Sequence, residues 1–129
     1  MTKLDPIIAV KDVIKSSNWY QSIFDCKSRH GGQEFDVLAT TADDILLCLH
    51  KWGEHDHPTM KSINQNGGNG LILYFRLENI EQVRENLRSI DHTVESEISV
   101  SPNSHKREFS FRDLDGYFIT VAEYHTYKG

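Results

Sequence analysis

Five donor side chains crowd one short stretch, HKWGEHDHPTM (residues 50–60): His50, Glu54, His55, Asp56 and His57. Imidazoles and carboxylates are ordinary ligands of zinc and its neighbours, so the composition invites a metal site. His55 and His57 stand two apart, a step that would put both on one side of a strand. Gly53 and Pro58 interrupt any strand there, and no third ligand has a distance that the sequence defines. His50 falls in an apolar run, ILLCLHKW, where alternation sets it opposite Leu47 and Leu49. The reading adopted is therefore a polar lip over a binding cleft, with solvated histidines. A native histidine metal site is the alternative.

Other reactive residues are less suggestive. Ser104 and His105 are adjacent and flanked by Pro102, which reads as a turn, so no nucleophile–base pair can be placed. Cys26 and Cys48 form no close metal-type pair and lie in or beside apolar segments, where a thiol acts as core filler. Reduced thiols, no leader segment and no long apolar run give the expectation of a cytoplasmic protein.

The chain has 129 residues, enough for one domain with a real core. Its apolar fraction of 38% and charged fraction of 26% suit a globular protein. A formal charge of −5 argues against nucleic acid or an anionic membrane as partner and is compatible with a neutral or cationic small ligand.

The elements that must position these residues repeat. IIAV is a short β-rich run, followed by Asp12 and Ser16 as candidate caps and by Trp19, Tyr20, Ile23 and Phe24 at helical spacing. Gly31-Gly32 breaks the chain; FDVLAT and ILLCLHKW then read as strands turned at Asp43-Asp44, with KSRH as a weaker strand before them. Residues 53–69 are a glycine-rich polar loop. GLILYFRL follows as a strand, then ENIEQVRENLRSI as a helix with Asn79 and Gln82 in a capping-box pattern and Ile80, Val83, Leu87 and Ile90 as its apolar stripe. TVESEISV, REFSF and YFITVAEY complete the chain as strands. This is a βαβββ unit written twice, residues 1–52 and 70–129, an α+β architecture.

Two segments carry a resemblance. IIAVKDVIKSSNWYQSIFD resembles the opening of the glyoxalase/bleomycin-resistance/extradiol-dioxygenase group, the vicinal oxygen chelate superfamily: a strand, V-x-D, then a helix with an aromatic–Tyr pair, here Trp19-Tyr20. FRDLDGYFITVAE resembles the same group's closing signature, D-P-D-G and a strand, with Leu114 in place of the proline. The resemblance implies curved mixed sheets around an open cleft. Asp113-Leu114-Asp115-Gly116 itself reads as a plain turn.

Enzymes of that group chelate a divalent metal with His, Glu or Gln from four strands. Counting from the motifs, the corresponding positions here are Asp5, Leu47, Ile72 and Thr120. Only Asp5 offers a usual donor, and one oxygen does not hold an ion. Glu123 is an odd step from Thr120 and points to the other face. The resemblance is thus to a metal-free, bleomycin-resistance-like member, with no cofactor.

Alternation assigns the cleft face. Tyr74 and Arg76 are in step with Ile72, while Leu71, Leu73, Phe75 and Leu77 face the helix. Phe118, Thr120, Ala122 and Tyr124 share the cleft face, as do Glu108, Ser110 and Arg112, with Phe109 and Phe111 opposite. Ile45, Leu47, Leu49 and Lys51 are assigned to the same face in the first half, with Trp52 at the strand's exit. The expected ligand contacts are Trp52, Tyr74, Arg76, Glu108, Ser110, Phe118, Thr120 and Tyr124, and no catalytic residue is assigned. The competing reading packs Tyr74 and Tyr124 in a dimer interface and pairs Arg76 with Glu108. Three functions remain open. One is a metal-free small-molecule-binding protein of the antibiotic-sequestering type, its ligand aromatic or cationic. Another is a metal-dependent lyase, isomerase or dioxygenase with displaced ligands such as His50, His55, His57 or Asp5. The third is a structural or regulatory dimer. A two-fold homodimer is expected in each case.

Overall fold

The computed structural model describes residues 1–62 and 68–127. The chain divides into two compact units, Met1–Asn66 and Gly67–Gly129. The first holds β1 (Ile7–Val10), α1 (Val13–Ile23), β2 (Cys26–Ser28), β3 (Phe35–Thr40) and β4 (Ile45–Lys51). The second holds β5 (Ile72–Leu77), α2 (Ile80–Ser89), β6 (Val94–Val100), β7 (Arg107–Arg112) and β8 (Phe118–Glu123). A 3-10 turn, Pro58–Met60, lies in the polar loop. Residues 63–67, which include most of the Asn/Gly run at 64–70, lie outside the described residues.

Both units have one topology. The strand orders are β1-β4-β3-β2 and β5-β8-β7-β6, each with one parallel pair (β1 with β4, β5 with β8) and otherwise antiparallel neighbours. The βαβββ unit read twice in the sequence is therefore present twice, including the weak second strand.

Local chemistry starts both helices. The Asp12 carboxylate accepts the Lys15 N–H at 3.0 Å, and Asn79 Oδ1 accepts the Gln82 N–H at 3.1 Å. Ser16 is no second cap: it sits inside α1 and is buried. The capping box of α2 is half formed, because the Gln82 side chain donates to Asn86 Oδ1 instead of turning back to the cap. Ile80, Val83 and Leu87 are buried as expected, but Ile90 lies at the helix C-cap and is 46% exposed. The final turn of a helix rotates its next stripe position away from the sheet once the helical φ/ψ are lost.

In the second unit the helix-side face is an apolar layer. Register aligns Leu73 with Ile119 and Phe111, and Phe75 with Val121 and Phe109, all buried. Arg84 of α2 straps the edge strand with two 2.8 Å hydrogen bonds to Glu97. Glu123 does face this side: it accepts the Arg107 N–H at 2.7 Å, and Arg107 reaches on to Glu81 of α2 at 2.5 Å.

In the first unit the register corrects one expectation. Leu47 and Leu49 pair with Leu38 and Asp36, and Leu49 with Ile8. Asp36 bonds to Ser17 of α1, so this is the helix side, and Leu47 and Leu49 are 1% and 0% exposed. The open face of β4 carries Cys48 and His50. An apolar run in which Leu46, Leu47, Cys48 and Leu49 are all core-like has no alternation to read, and an irregularity between Leu38 and Ala39 shifts the register there.

Candidate functional site

The open face of the second sheet is built in rows by the strand register. One row runs Tyr74, Thr120, Ser110, and the next Arg76, Ala122, Glu108; Ile72, Phe118 and Arg112 form the row before them. Parallel and antiparallel partners project to the same side, so seven of the eight expected ligand contacts belong to this unit. The eighth, Trp52, follows β4 in the first unit and is half-buried.

The middle row is a line of hydroxyls. Ser110 Oγ and Thr120 Oγ1 are 2.9 Å apart and both residues are buried. Tyr74 stands at the exposed end, with its hydroxyl 3.1 Å from His125 Nε2. Its phenol is pushed above the ordinary value, first by burial, then by the charges of Glu108 and Tyr127; a hydrogen bond with Ser104 and the Arg76 charge pull the other way.

Arg76 does not pair with Glu108. β8 runs between their strands, with Ala122 in the row, and the guanidinium turns to the chain end instead. It donates to the His125 carbonyl at 2.5 Å and lies over the rings of Tyr124 and Tyr127, at 5.5 and 5.0 Å from their centroids. His125 stacks edge-on against Tyr127, 5.2 Å between centroids. His125 and Tyr127 were missed in the sequence because the tail beyond β8 has no periodicity. The tyrosine–arginine alternation of β5 was the one signal pointing to them.

The Asp113 turn is structural, as read: its carboxylate accepts the N–H groups of Asp115 and Tyr117, both at 2.9 Å, and Gly116 takes φ 88°. A polar pocket lined by Asp91, His92, Thr93, Glu95 and Arg112 lies beside that turn. Its arginine is already held by Glu95 at 3.0 Å and by the Gly116 carbonyl at 2.9 Å, and none of its lining residues is Phe, Tyr or Trp.

The first unit carries the second cluster. The histidines converge: one ligand atom from each of His50, His55 and His57 lies within 4.8 Å of the others, with His55 and His57 exposed, as expected of a solvated lip, and His50 buried. His50 is buried on the face of β4 opposite α1, and its distance to the loop has no signature in the sequence. The loop folds back because His55 and Asp56 both take left-handed φ, 59° and 54°, while the Gly53 N–H bonds the Met60 carbonyl at 2.6 Å. His55 Nδ1 lies 3.2 Å from His50 Nε2, and His55 Nε2 lies 2.9 Å from Glu34 Oε2.

Three of the positions corresponding to the four-strand chelate are described within their own units. Leu47 faces α1, Ile72 is apolar and 60% exposed, and the Thr120 hydroxyl is bonded to Ser110. Both thiols are buried and free; burial pushes Cys26 up to about 11, and Cys48 is raised for the same reason.

No family profile and no curated protein sequence matches the chain. Solved structures do. A protein of unknown function from Agrobacterium tumefaciens str. C58 aligns with TM-score 0.77 at 19% identity, over 97% of this chain and 95% of that one. A lactoylglutathione lyase from Agrobacterium tumefaciens aligns with TM-score 0.69 at 15% identity, over 95% and 92%. The genomically encoded fosfomycin resistance protein FosX of Listeria monocytogenes, complexed with Mn(II) and sulfate, aligns with TM-score 0.69 at 13% identity, over 97% and 92%. At these identities the likeness is one of fold: each unit has the helix and four-stranded mixed sheet of the glyoxalase/bleomycin-resistance fold. One such scaffold carries many chemistries. Among the described residues no helix is long and apolar enough to cross a membrane.

Proposed function

We propose that the chain is a small-molecule-binding protein of the antibiotic-sequestering type, holding a planar, aromatic or cationic ligand on the open face of its second sheet. No metal at the four-strand chelating positions takes part. The observation that carries this reading is the prearranged group at one end of that face: Arg76 fixed over Tyr124 and Tyr127, with Tyr74 hydrogen-bonded to His125. Rigid aromatic walls with a few aimed polar groups are how small-ligand sites are built. Glu108 supplies a carboxylate on the same face for a cationic substituent. The reading includes a two-fold homodimer, in which one patch would serve on both chains. It also includes a cytoplasmic setting, supported by two free, buried thiols.

The test is a thermal-shift panel of planar aromatic compounds, with and without a cationic group, in chelator-containing buffer. A ligand that binds only the folded state raises the midpoint with concentration. Shifts that persist without metal and disappear in Tyr74→Ala are expected. Shifts that require added metal would instead favour a metal-dependent lyase, isomerase or dioxygenase, the reading to which the convergent histidines give support.

A further inference from the structure

We infer that His50, His55 and His57 form a binding site for a first-row transition-metal ion of the zinc class, with Glu34 as its positioning residue. The site is local to β4 and the loop after it. It is distinct from the four-strand chelate positions and does not rest on the ligand-binding reading above.

The inference comes from where the protons must be. His50 Nδ1 lies 2.7 Å from the Lys51 carbonyl, which only accepts, so that nitrogen carries the hydrogen. His55 Nε2 faces the Glu34 carboxylate at 2.9 Å, which also only accepts in its ionised form. In neutral imidazoles the remaining nitrogens, His50 Nε2 and His55 Nδ1, then both present lone pairs. These two lone pairs face each other at 3.2 Å. Such a pair is repulsive unless a cation lies between them. Two ligands at about 2.0–2.1 Å from a tetrahedral ion stand roughly 3.3 Å apart, which is the separation found here.

His57 supplies the third nitrogen. Its ring centroid is 4.9 Å from that of His50, and one ligand atom from each of the three residues lies within 4.8 Å of the others. Three imidazoles leave a fourth position open for water or a small ligand. Imidazole sets select zinc, copper, nickel or cobalt over calcium and magnesium, which want oxygen. Glu34 matches the carboxylate–histidine arrangement that fixes the tautomer of metal ligands. Consecutive left-handed residues, His55 and Asp56, are uncommon for side-chain-bearing residues and tend to mark functional constraint. Here their effect is to aim two imidazoles back at a buried third.

The experiment is titration of chelator-stripped full-length protein with zinc by calorimetry, and with Co(II) by its visible tetrahedral absorption. The proteins are wild type, His55→Ala, His57→Ala and Glu34→Gln. These side chains lie on exposed residues, so the variants keep the fold, and circular dichroism checks this. His50 is left intact because it is buried in the sheet. The expected result is one zinc per chain, tetrahedral Co(II) bands, and loss of at least about tenfold in affinity in each histidine variant. Glu34→Gln should weaken binding by roughly 10–100-fold without abolishing the bands. If the wild type takes up no zinc, the two nitrogens share only a proton and the inference is overturned. Uptake that His55→Ala and His57→Ala leave unchanged, reporting on His30, His92, His105 or His125 instead, overturns it equally.

Discussion

Ser17 Oγ donates a 2.6 Å hydrogen bond to Asp36 Oδ2, and this buried contact ties α1 to the centre of the first sheet. Asp36 is 2% exposed and takes further bonds from Ser28 Oγ at 2.7 Å and from the N–H groups of Gly31 and Val37 at 2.8 Å. One carboxylate thus fixes the helix, β2 and the Gly31 turn together. A further bond comes from the His30 N–H at 3.3 Å, so replacement by alanine leaves two hydroxyls and three amides without their acceptor. Asp36→Ala should cost about 3 kcal/mol by urea denaturation, and a loss below about 0.5 kcal/mol would show that water replaces the carboxylate freely.

The same residue sets a pH dependence. Burial alone would raise the Asp36 carboxyl, but the hydrogen bonds from Ser17, Gly31, Ser28 and Val37 outweigh it and hold the group below its ordinary value. A folded-state value depressed below the unfolded one contributes stability above the unfolded pKa, near 3.9, that is lost as pH falls through the folded value. The acid limb of the wild-type stability curve should therefore be steeper below about pH 4 than that of Asp36→Asn. Superimposable limbs would remove Asp36 from the acid response.

The helix face of the second unit gives a packing prediction. Leu87 is 0% exposed, and Leu87→Ala should cost about 2–5 kcal/mol because the layer of Leu73, Phe75 and Ile119 collapses only partly into the space. Ile90→Ala, at a position 46% exposed, should stay within about 0.5 kcal/mol. Equal effects at the two positions would mean the helix is rotated from the arrangement described.

Nearly all of the fold was legible, and the reason is repetition. Each βαβββ unit places a cap, a stripe and alternating strands in one order, so even the weak strand at Cys26–Ser28 was predictable from its counterpart. The second site face was legible because β5 alternates cleanly: Ile72, Tyr74 and Arg76 against Leu73 and Phe75. β4 failed for the opposite reason, since a run buried on both faces has no alternation, and Leu47 was put on the wrong side. The histidine cluster failed because left-handed φ at His55 and Asp56 has no composition signature, as glycine would have given.

The thiols should behave as core. Cys26, 5% exposed and pushed up to about 11 by burial, and Cys48, 4% exposed and also raised, should react with a disulfide reagent at neutral pH only as fast as the protein unfolds. Fast stoichiometric modification of the native protein would contradict their placement.

Assembly is tested by sedimentation. A homodimer is expected at micromolar concentration, with one two-fold patch used by both chains. A monomer across that range would remove the dimer from the proposal and leave the aromatic face to be judged alone.

That face is tested most directly by equilibrium titration of wild type, Tyr74→Ala and Trp52→Ala with the aromatic compound giving the largest thermal shift, in chelator-containing buffer. Saturable binding to the wild type is expected with chelator present. A loss of roughly 30-fold, about 2 kcal/mol, is expected in Tyr74→Ala, as for an aromatic anchor in a small-ligand site. Trp52→Ala tests the remaining expected contact by itself, in the first unit: weakened binding would keep Trp52 among the ligand contacts and unchanged binding would remove it. Binding that Tyr74→Ala leaves unchanged, or no compound that binds without metal, would contradict the claim that the open face of the second sheet is the ligand site.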